Sequence, residues 1–177
     1  MSQEKQPGKQ ASSRAATRRI TLERSYDASL ADVWELWTTK EGIESWWGPD
    51  GFRVEVHKLE LWPGGTLLYA MIADGAPQIE FMKNQGMPLV TEARLTFTEV
   101  TKERRLAYLH LADFIPGVEP YDVATLVELE PAPSGVKMRL TFDAMHDPIW
   151  TERQQKGWEM ELEKLAKALR AERRAPG

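Results

Sequence analysis

The longest regular pattern in the sequence lies near its C-terminus, and it constrains the fold more than any other feature. The apolar residues of this pattern have the spacing of one face of a helix, and they are Trp158, Leu162, Leu165 and Leu169. Asp147 can cap this helix, and Pro148 is favoured at a first helical position. A helix from Pro148 to Arg173 would be about 39 Å long at 1.5 Å per residue. Such a helix needs a large surface to pack on, which predicts a broad curved sheet elsewhere in the chain.

Gly157 interrupts this helical pattern directly before Trp158. A glycine inside a helix costs about 1 kcal/mol relative to alanine. We therefore expect another element to pack closely against the helix at Gly157, which would compensate for the lost helix stability.

Two short helices are predicted near the N-terminus, after a first strand. The stretch "RRITLERSY" alternates apolar residues, which indicates the strand. In "SLADVWELW" the apolar residues follow helical spacing, and Ser29 with Asp32 approximates a capping box. The stretch "TKEGIESWWGP" predicts a second helix that Thr39 caps and that Gly48, in a left-handed conformation, ends before Pro49.

The chain from about residue 52 to 143 is predicted to form antiparallel strands. The parity of the apolar residues changes between Val56 and Leu59, which predicts a bulge near His57 or Lys58. The stretches "TKER" and "PAPS" are suited to hairpin connections. The segment "DGAPQIEFMKNQGMPLV" has a loop-like pattern, with an apolar set of Ile79, Phe81, Met82 and Met87. The fold class is therefore α+β.

Composition excludes several classes of function. The net charge of −4 carries no signature of a nucleic-acid-binding protein or of attraction to an anionic membrane. The absence of cysteine excludes disulfides and thiolate chemistry and fits a cytoplasmic location. No stretch approaches 18 consecutive apolar residues, so we expect no membrane insertion. We expect residues 1–17 to be a disordered polar tail and residues 18–174 to be a single domain.

Four stretches together resemble a known family. They are "YDASLADVWELWT", "GIESWWGPDGF", "LWPGGTLLYAM" and "KGWEMELEKLAKAL", and they occur in the family's order. The chain is therefore identified as a member of the SRPBCC (START / pollen-allergen-like) superfamily, in the branch that resembles the C-terminal domain of the activator of the heat-shock chaperone ATPase. The resemblance covers about Ile20 to Leu169. It implies a helix-grip fold, in which a curved antiparallel sheet wraps around a long C-terminal helix, with two short helices after the first strand. The segment "DGAPQIEFMKNQGMPLV" departs from the family's usual short hairpin, and nothing resembles the separate N-terminal domain of the eukaryotic co-chaperone.

The resemblance also implies a cavity between the sheet and the long helix. The candidates for its ligand-binding wall are Trp46, Trp47, Phe52, Met71, Phe81, Met82, Tyr108, His110 and Trp158. The alternative is that these large side chains simply fill the core. Because neighbouring helical residues point in different directions, we expect one of Trp46 and Trp47 to pack in the core and the other to close the cavity mouth.

The polar residues give weaker indications. His57, His110 and His146 do not have the spacing of a metal site, and we expect neither a metal nor a cofactor. Tyr108 and His110 have the same strand parity, so they can orient a ligand on one side of the sheet or move a proton. We expect Glu80 to lie at the rim of the cavity, in contact with water.

Three functions remain open at this point. The leading one is binding of a small hydrophobic or amphipathic ligand in the cavity, with no catalytic residue assigned. The alternative is a module that interacts with a chaperone, as the name of the branch implies. The second alternative is a cyclase- or hydrolase-like enzyme that uses Tyr108, His110 or Glu80.

Overall fold

The computed structural model describes residues 17–174. Residues 1–16, which make up most of the predicted tail, lie outside the described residues. The elements are β1 (Arg19–Tyr26), α1 (Leu30–Thr38), α2 (Lys40–Trp46), β2 (Phe52–Leu59), β3 (Thr66–Ala73), α3 (Ala76–Asn84), β4 (Val90–Thr101), β5 (Arg105–Ala112), β6 (Tyr121–Ala132), β7 (Gly135–Asp143) and α4 (Pro148–Arg174).

The strands form one seven-stranded sheet in the order β1-β7-β6-β5-β4-β3-β2, and every neighbouring pair is antiparallel. The register shifts between Val56 and Lys58, which confirms the predicted bulge, and again between Phe97 and Glu99. Bulges bend a strand and increase its twist. The sheet is accordingly curved, and its concave face receives α4, as the helix-grip fold requires.

The long helix α4 begins at Pro148, as predicted, and ends at Arg174. Its start is capped by Asp147, whose Oδ1 accepts a hydrogen bond of 2.7 Å from the backbone N–H of Trp150. Leu162, Leu165 and Leu169 are buried in the same core cluster as the inward-facing residues of the sheet. The predicted apolar face is therefore the face that packs on the sheet.

The two short helices are also confirmed. The Ser29 hydroxyl accepts from Asp32 N at 3.0 Å, and Asp32 Oδ2 accepts from Ser29 N at 3.2 Å, which completes the capping box. Thr39 Oγ1 accepts from Gly42 N at 3.0 Å at the start of α2. Gly48 follows α2 with a φ of 94°, a conformation that glycine adopts at little cost. Helix α2 therefore ends at Trp46, and Trp47 follows directly after it.

The segment predicted as a loop between β3 and β4 contains a helix, so that expectation was wrong. Helix α3 begins after Gly75, with Pro77 in its first turn. Proline is tolerated there because its φ suits the helix and its missing N–H would have no helical partner. The remaining residues are mostly good helix formers, and the buried Met82 provides the contact that a short helix needs.

Across residues 17–174, none of the helices combines the length and the apolar character needed to cross a membrane.

Candidate functional site

A cavity of about 330 Å³ lies between the sheet and α4. Its wall is formed by the end of α2, by strands β3 to β6 and by one face of α4. Protein interiors are usually close-packed, with few voids larger than a water molecule. A space of this size between two packed layers is therefore a candidate binding site.

The sheet side of the cavity is aromatic and aliphatic, with few polar groups. Its central residues are Tyr69 and Met71 of β3, Leu95 of β4, and Tyr108 and His110 of β5. They share the inward face because alternate residues of a strand point to the same side. The ring centroid of Trp47 lies 5.4 Å from that of Tyr69 and 6.4 Å from that of Tyr108. The three rings form a continuous wall.

The helix side is formed by residues of α4 one or two turns apart, among them Arg153, Gly157, Trp158 and Glu161. A Cβ atom built on Gly157 would meet no atom within 4 Å. The predicted close approach of another element at Gly157 is therefore wrong. The glycine faces the cavity, and the missing side chain leaves this space open.

Phe114, Trp150 and Arg153 lie in the wall near the start of α4. The Phe114 side chain is 46% exposed, and Arg153 is also exposed. The Arg153 guanidinium carbon lies 5.1 Å from the ring centroid of Trp150, a cation–π arrangement. This end of the cavity therefore meets solvent and carries a positive charge.

Helix α4 holds Trp47 in place through the peptide groups of Gly48. The backbone N–H of Gly48 donates to Glu161 Oε1 at 3.0 Å, and its carbonyl accepts from Lys164 Nζ at 2.7 Å. Glu161 and Lys164 are three positions apart and thus lie on the same face of α4. The two contacts fix the end of α2 against α4 and place the Trp47 ring in the cavity wall.

Glu161 is the carboxyl group of the cavity wall. Burial raises the pKa of Glu161 to about 7, against the smaller lowering effects of the Gly48 N–H and Lys164. The side chain keeps some accessible surface because it faces the cavity, but the surrounding layers of protein replace the water that would stabilise its charge. At neutral pH the group can therefore exist as acid or as carboxylate.

The ionisable groups on the sheet side of the wall are held neutral. Burial raises the pKa of Tyr69 and of Tyr108, and the nearby Glu161 carboxylate adds to the effect. Burial lowers the pKa of His110 below its usual value, and Asp113 opposes this only in part. Near pH 7 the sheet side is therefore uncharged, and it can offer hydrogen bonds without charge.

Two further polar atoms of wall residues are not available to a ligand. Nε1 of Trp47 and Oε1 of Gln154 are buried and have no hydrogen-bond partner within residues 17–174. Because they have almost no accessible surface, a ligand would reach them only after a side-chain rotation.

Comparison with protein families identifies one that covers most of the chain. The model of the "Activator of Hsp90 ATPase homolog 1-like protein" family, AHSA1, matches residues 27–170. The chain belongs to the AHSA1-like family. No match was found among curated proteins.

Solved structures similar to this AHSA1-like chain come from several bacteria. A protein from Chromobacterium violaceum is 21% identical with a TM-score of 0.71, over 85% of this chain and 96% of that one. A protein from Nitrosomonas europaea is 20% identical with a TM-score of 0.68, over 91% and 99% of the two chains. An AHSA1-like protein from Aeromonas hydrophila is 22% identical with a TM-score of 0.67, over 87% and 93%. At these identities the similarity shows the helix-grip fold alone.

Five of the nine residues predicted for the ligand site lie in the cavity wall of this AHSA1-like chain: Trp47, Met71, Tyr108, His110 and Trp158. Of the adjacent tryptophans, Trp46 is the core residue. It is fully buried, its Nε1 donates to Leu36 O at 2.8 Å, and its ring centroid lies 4.7 Å from that of Trp37.

The other three predicted residues lie outside the described cavity wall. Phe52 is half-buried at the start of β2, the edge strand beyond β3. Phe81 and Met82 are on α3, where Phe81 is exposed and Met82 is buried. Glu80 is exposed on the same helix, and no residue from 74 to 90 lies in the wall.

Among the wall residues that sequence reasoning did not propose are Tyr69, Gly157 and Glu161. Glu161 lies three positions after Trp158 and four before Leu165, a charged residue on the apolar face of α4. That position was the signal that could have identified it. In the described part of the chain, no group of three or more histidine, aspartate or glutamate side chains is arranged to hold a metal ion.

Proposed function

We propose that this protein binds a small apolar or amphipathic molecule in the cavity between the sheet and α4. The observation that carries the proposal is the cavity of about 330 Å³. Small-molecule sites are clefts of roughly 300–1,000 Å³ with mainly apolar walls and a few polar groups. The wall of aromatic rings around Glu161 fits this description.

Gly157 contributes to the open volume of the cavity. Alanine would favour the helix by about 1 kcal/mol, and its Cβ would meet nothing within 4 Å. The space next to Gly157 is therefore open to a ligand, and a longer side chain at this position would fill it.

The first test is native mass spectrometry on freshly purified wild-type protein and on Gly157→Leu, which places a side chain in the cavity. We expect an added mass of a few hundred daltons on the wild type and none on the variant. Gly157→Ala is the matched control, because it adds a single carbon and should keep most of the binding.

Equal added mass on wild type and Gly157→Leu would place the ligand outside the cavity. A bare wild-type mass, together with no heat on titration with 1-naphthalenemethanol, would contradict the proposal directly.

A second candidate function is interaction with a chaperone. It is supported by the description of the family and by exposed apolar side chains on α3, at the start of β4 and between them, namely Phe81 (59% exposed), Val90 (49%) and Met87 (48%). Exposed apolar groups of this kind often mark interaction surfaces. The test is the ATPase rate of a purified Hsp90-type chaperone with added wild-type or Phe81→Ser protein. An unchanged rate with the wild type would exclude this function.

A further inference from the structure

The position of Glu161 within the cavity distinguishes it from the other acidic residues of α4. Its oxygen Oε1 already accepts the hydrogen bond from Gly48 N, which leaves Oε2 as the oxygen that could meet a ligand. The residue lines the cavity, whereas its neighbour Glu163 is exposed. A bound molecule would thus meet a carboxyl group that the fold has already oriented.

Aromatic rings surround the volume that this carboxyl group faces. Trp47, Tyr69, Tyr108 and Trp158 all line the cavity together with Glu161. The negative face of an aromatic ring attracts an organic cation, and aromatic cages recognise ammonium groups in this way. A carboxylate among aromatic rings is the combination that suits an ammonium group on an apolar body.

The positive charges near the site do not compete for the free oxygen of Glu161. Lys164 Nζ donates to the carbonyl of Gly48 and lies outside the wall, so its charge favours the carboxylate form of Glu161 without lining the cavity. Arg153 is eight positions before Glu161 on α4, about 12 Å along the helix axis, and it packs over Trp150. Burial lowers the pKa of His110, which favours its neutral form. The deep end of the cavity is therefore its acidic end.

We propose that the cavity is selective for an organic amine whose ammonium group pairs with Glu161 among these aromatic rings. The proposal rests on the ligand-binding function proposed above and specifies the chemical class of the ligand. The bound pair is the same whether ammonium meets carboxylate or a neutral amine takes the proton of the acid. No net charge is then buried, which limits the desolvation cost of the complex.

The pair implies a definite pH dependence. Because burial raises the pKa of Glu161 to about 7, the free protein loses the carboxylate form below that pH, and amine binding must weaken. Between about pH 8 and pH 6 the affinity should fall about tenfold, since each pH unit below the pKa costs a factor of ten. Tyr69 and Tyr108 stay neutral over this range, because burial raises the pKa of both hydroxyl groups.

The test is calorimetric titration of three probes that share one apolar body: 1-naphthylmethylamine, 1-naphthalenemethanol and the carboxylate 1-naphthaleneacetate. With the wild type at pH 8 we expect the amine to bind at least tenfold more tightly than the alcohol, and the carboxylate to bind most weakly. Glu161→Gln keeps an oxygen for the Gly48 N–H and should bind amine and alcohol alike. Glu163→Gln, a matched change on the exposed face of α4, should bind like the wild type.

A second measurement needs no variant. The wild-type affinity for the amine should fall about tenfold from pH 8 to pH 6, while the affinity for the alcohol stays constant. Equal binding of amine and alcohol, or tightest binding of the carboxylate, would overturn the amine proposal and leave ligand binding intact. Failure of all three probes to bind would overturn both proposals.

Discussion

Glu161 is a carboxylic acid on the apolar face of α4, and its surroundings disfavour the charge that it would carry in water. Burial raises its pKa from 4.5 to about 7. The folded state therefore binds a proton that the unfolded state has released between these two values. This proton stabilises the folded state fully below about pH 4.5, and the stabilisation is lost as the pH rises through 7. The loss corresponds to about 3 kcal/mol, from 1.36 kcal/mol per pKa unit.

We predict that Glu161→Gln removes this part of the pH dependence. The free energy of unfolding, measured by urea denaturation from about pH 4.5 to pH 8, should fall more steeply for the wild type than for the variant. The comparison cancels the contributions of other carboxyl groups, because both proteins share them. Parallel curves for the two proteins would show that Glu161 titrates as it does in water.

At the scale of elements, two helical glycines provide a matched pair for testing how α2 and α4 are packed. A Cβ on Gly157 of α4 would meet nothing within 4 Å, whereas a Cβ on Gly42 of α2 would clash with the carbonyl oxygen of Glu35. We predict that Gly157→Ala stabilises the protein by about 1 kcal/mol, the difference in helix propensity. Gly42→Ala should destabilise it, because the backbone of α1 must move. Urea denaturation of both variants measures this, and a loss of stability in Gly157→Ala would contradict the open space at that position.

The start of α4 depends on the cap that Asp147 provides. Its Oδ1 accepts the hydrogen bond from Trp150 N, and Oδ2 lies 3.4 Å from Nε2 of His146. We predict that Asp147→Ala lowers the free energy of unfolding by about 1 kcal/mol, the usual value of an N-cap. Asp147→Asn keeps an acceptor oxygen and should cost much less. Thermal denaturation measures both variants. If both substitutions lower the free energy of unfolding equally, the charge rather than the hydrogen bond stabilises the helix.

At the scale of the whole molecule, the fold could be predicted from the sequence because its elements are long and strongly periodic. The leucine spacing of α4, the parity change at Val56 and the caps at Ser29 and Thr39 each depend on neighbours in the sequence. Helix α3 was missed because it is short, has no side-chain cap, and exposes Phe81 while it buries Met82.

The site was less predictable, because the shape of a cavity depends on residues that the fold brings together. Nothing in the local sequence around Gly157 distinguishes a close contact from an open space. The pKa of Glu161 likewise depends on its burial, and the other residues of the cavity that surround it include strand residues far from it in the chain. Trp46 and Trp47 are adjacent, yet one fills the core and the other lines the cavity.

The central claim, that the cavity binds a ligand, is tested most directly by the indole N–H signals of the seven tryptophans. Trp47, Trp150 and Trp158 line the cavity, whereas Trp62 is 57% exposed and lies outside the described wall. We predict that titration of ¹⁵N-labelled protein with 1-naphthalenemethanol, followed by NMR, shifts the three cavity signals in a saturable way and leaves that of Trp62 unchanged. A saturable shift of Trp62 without the cavity signals, or no shift of any signal, would contradict the account.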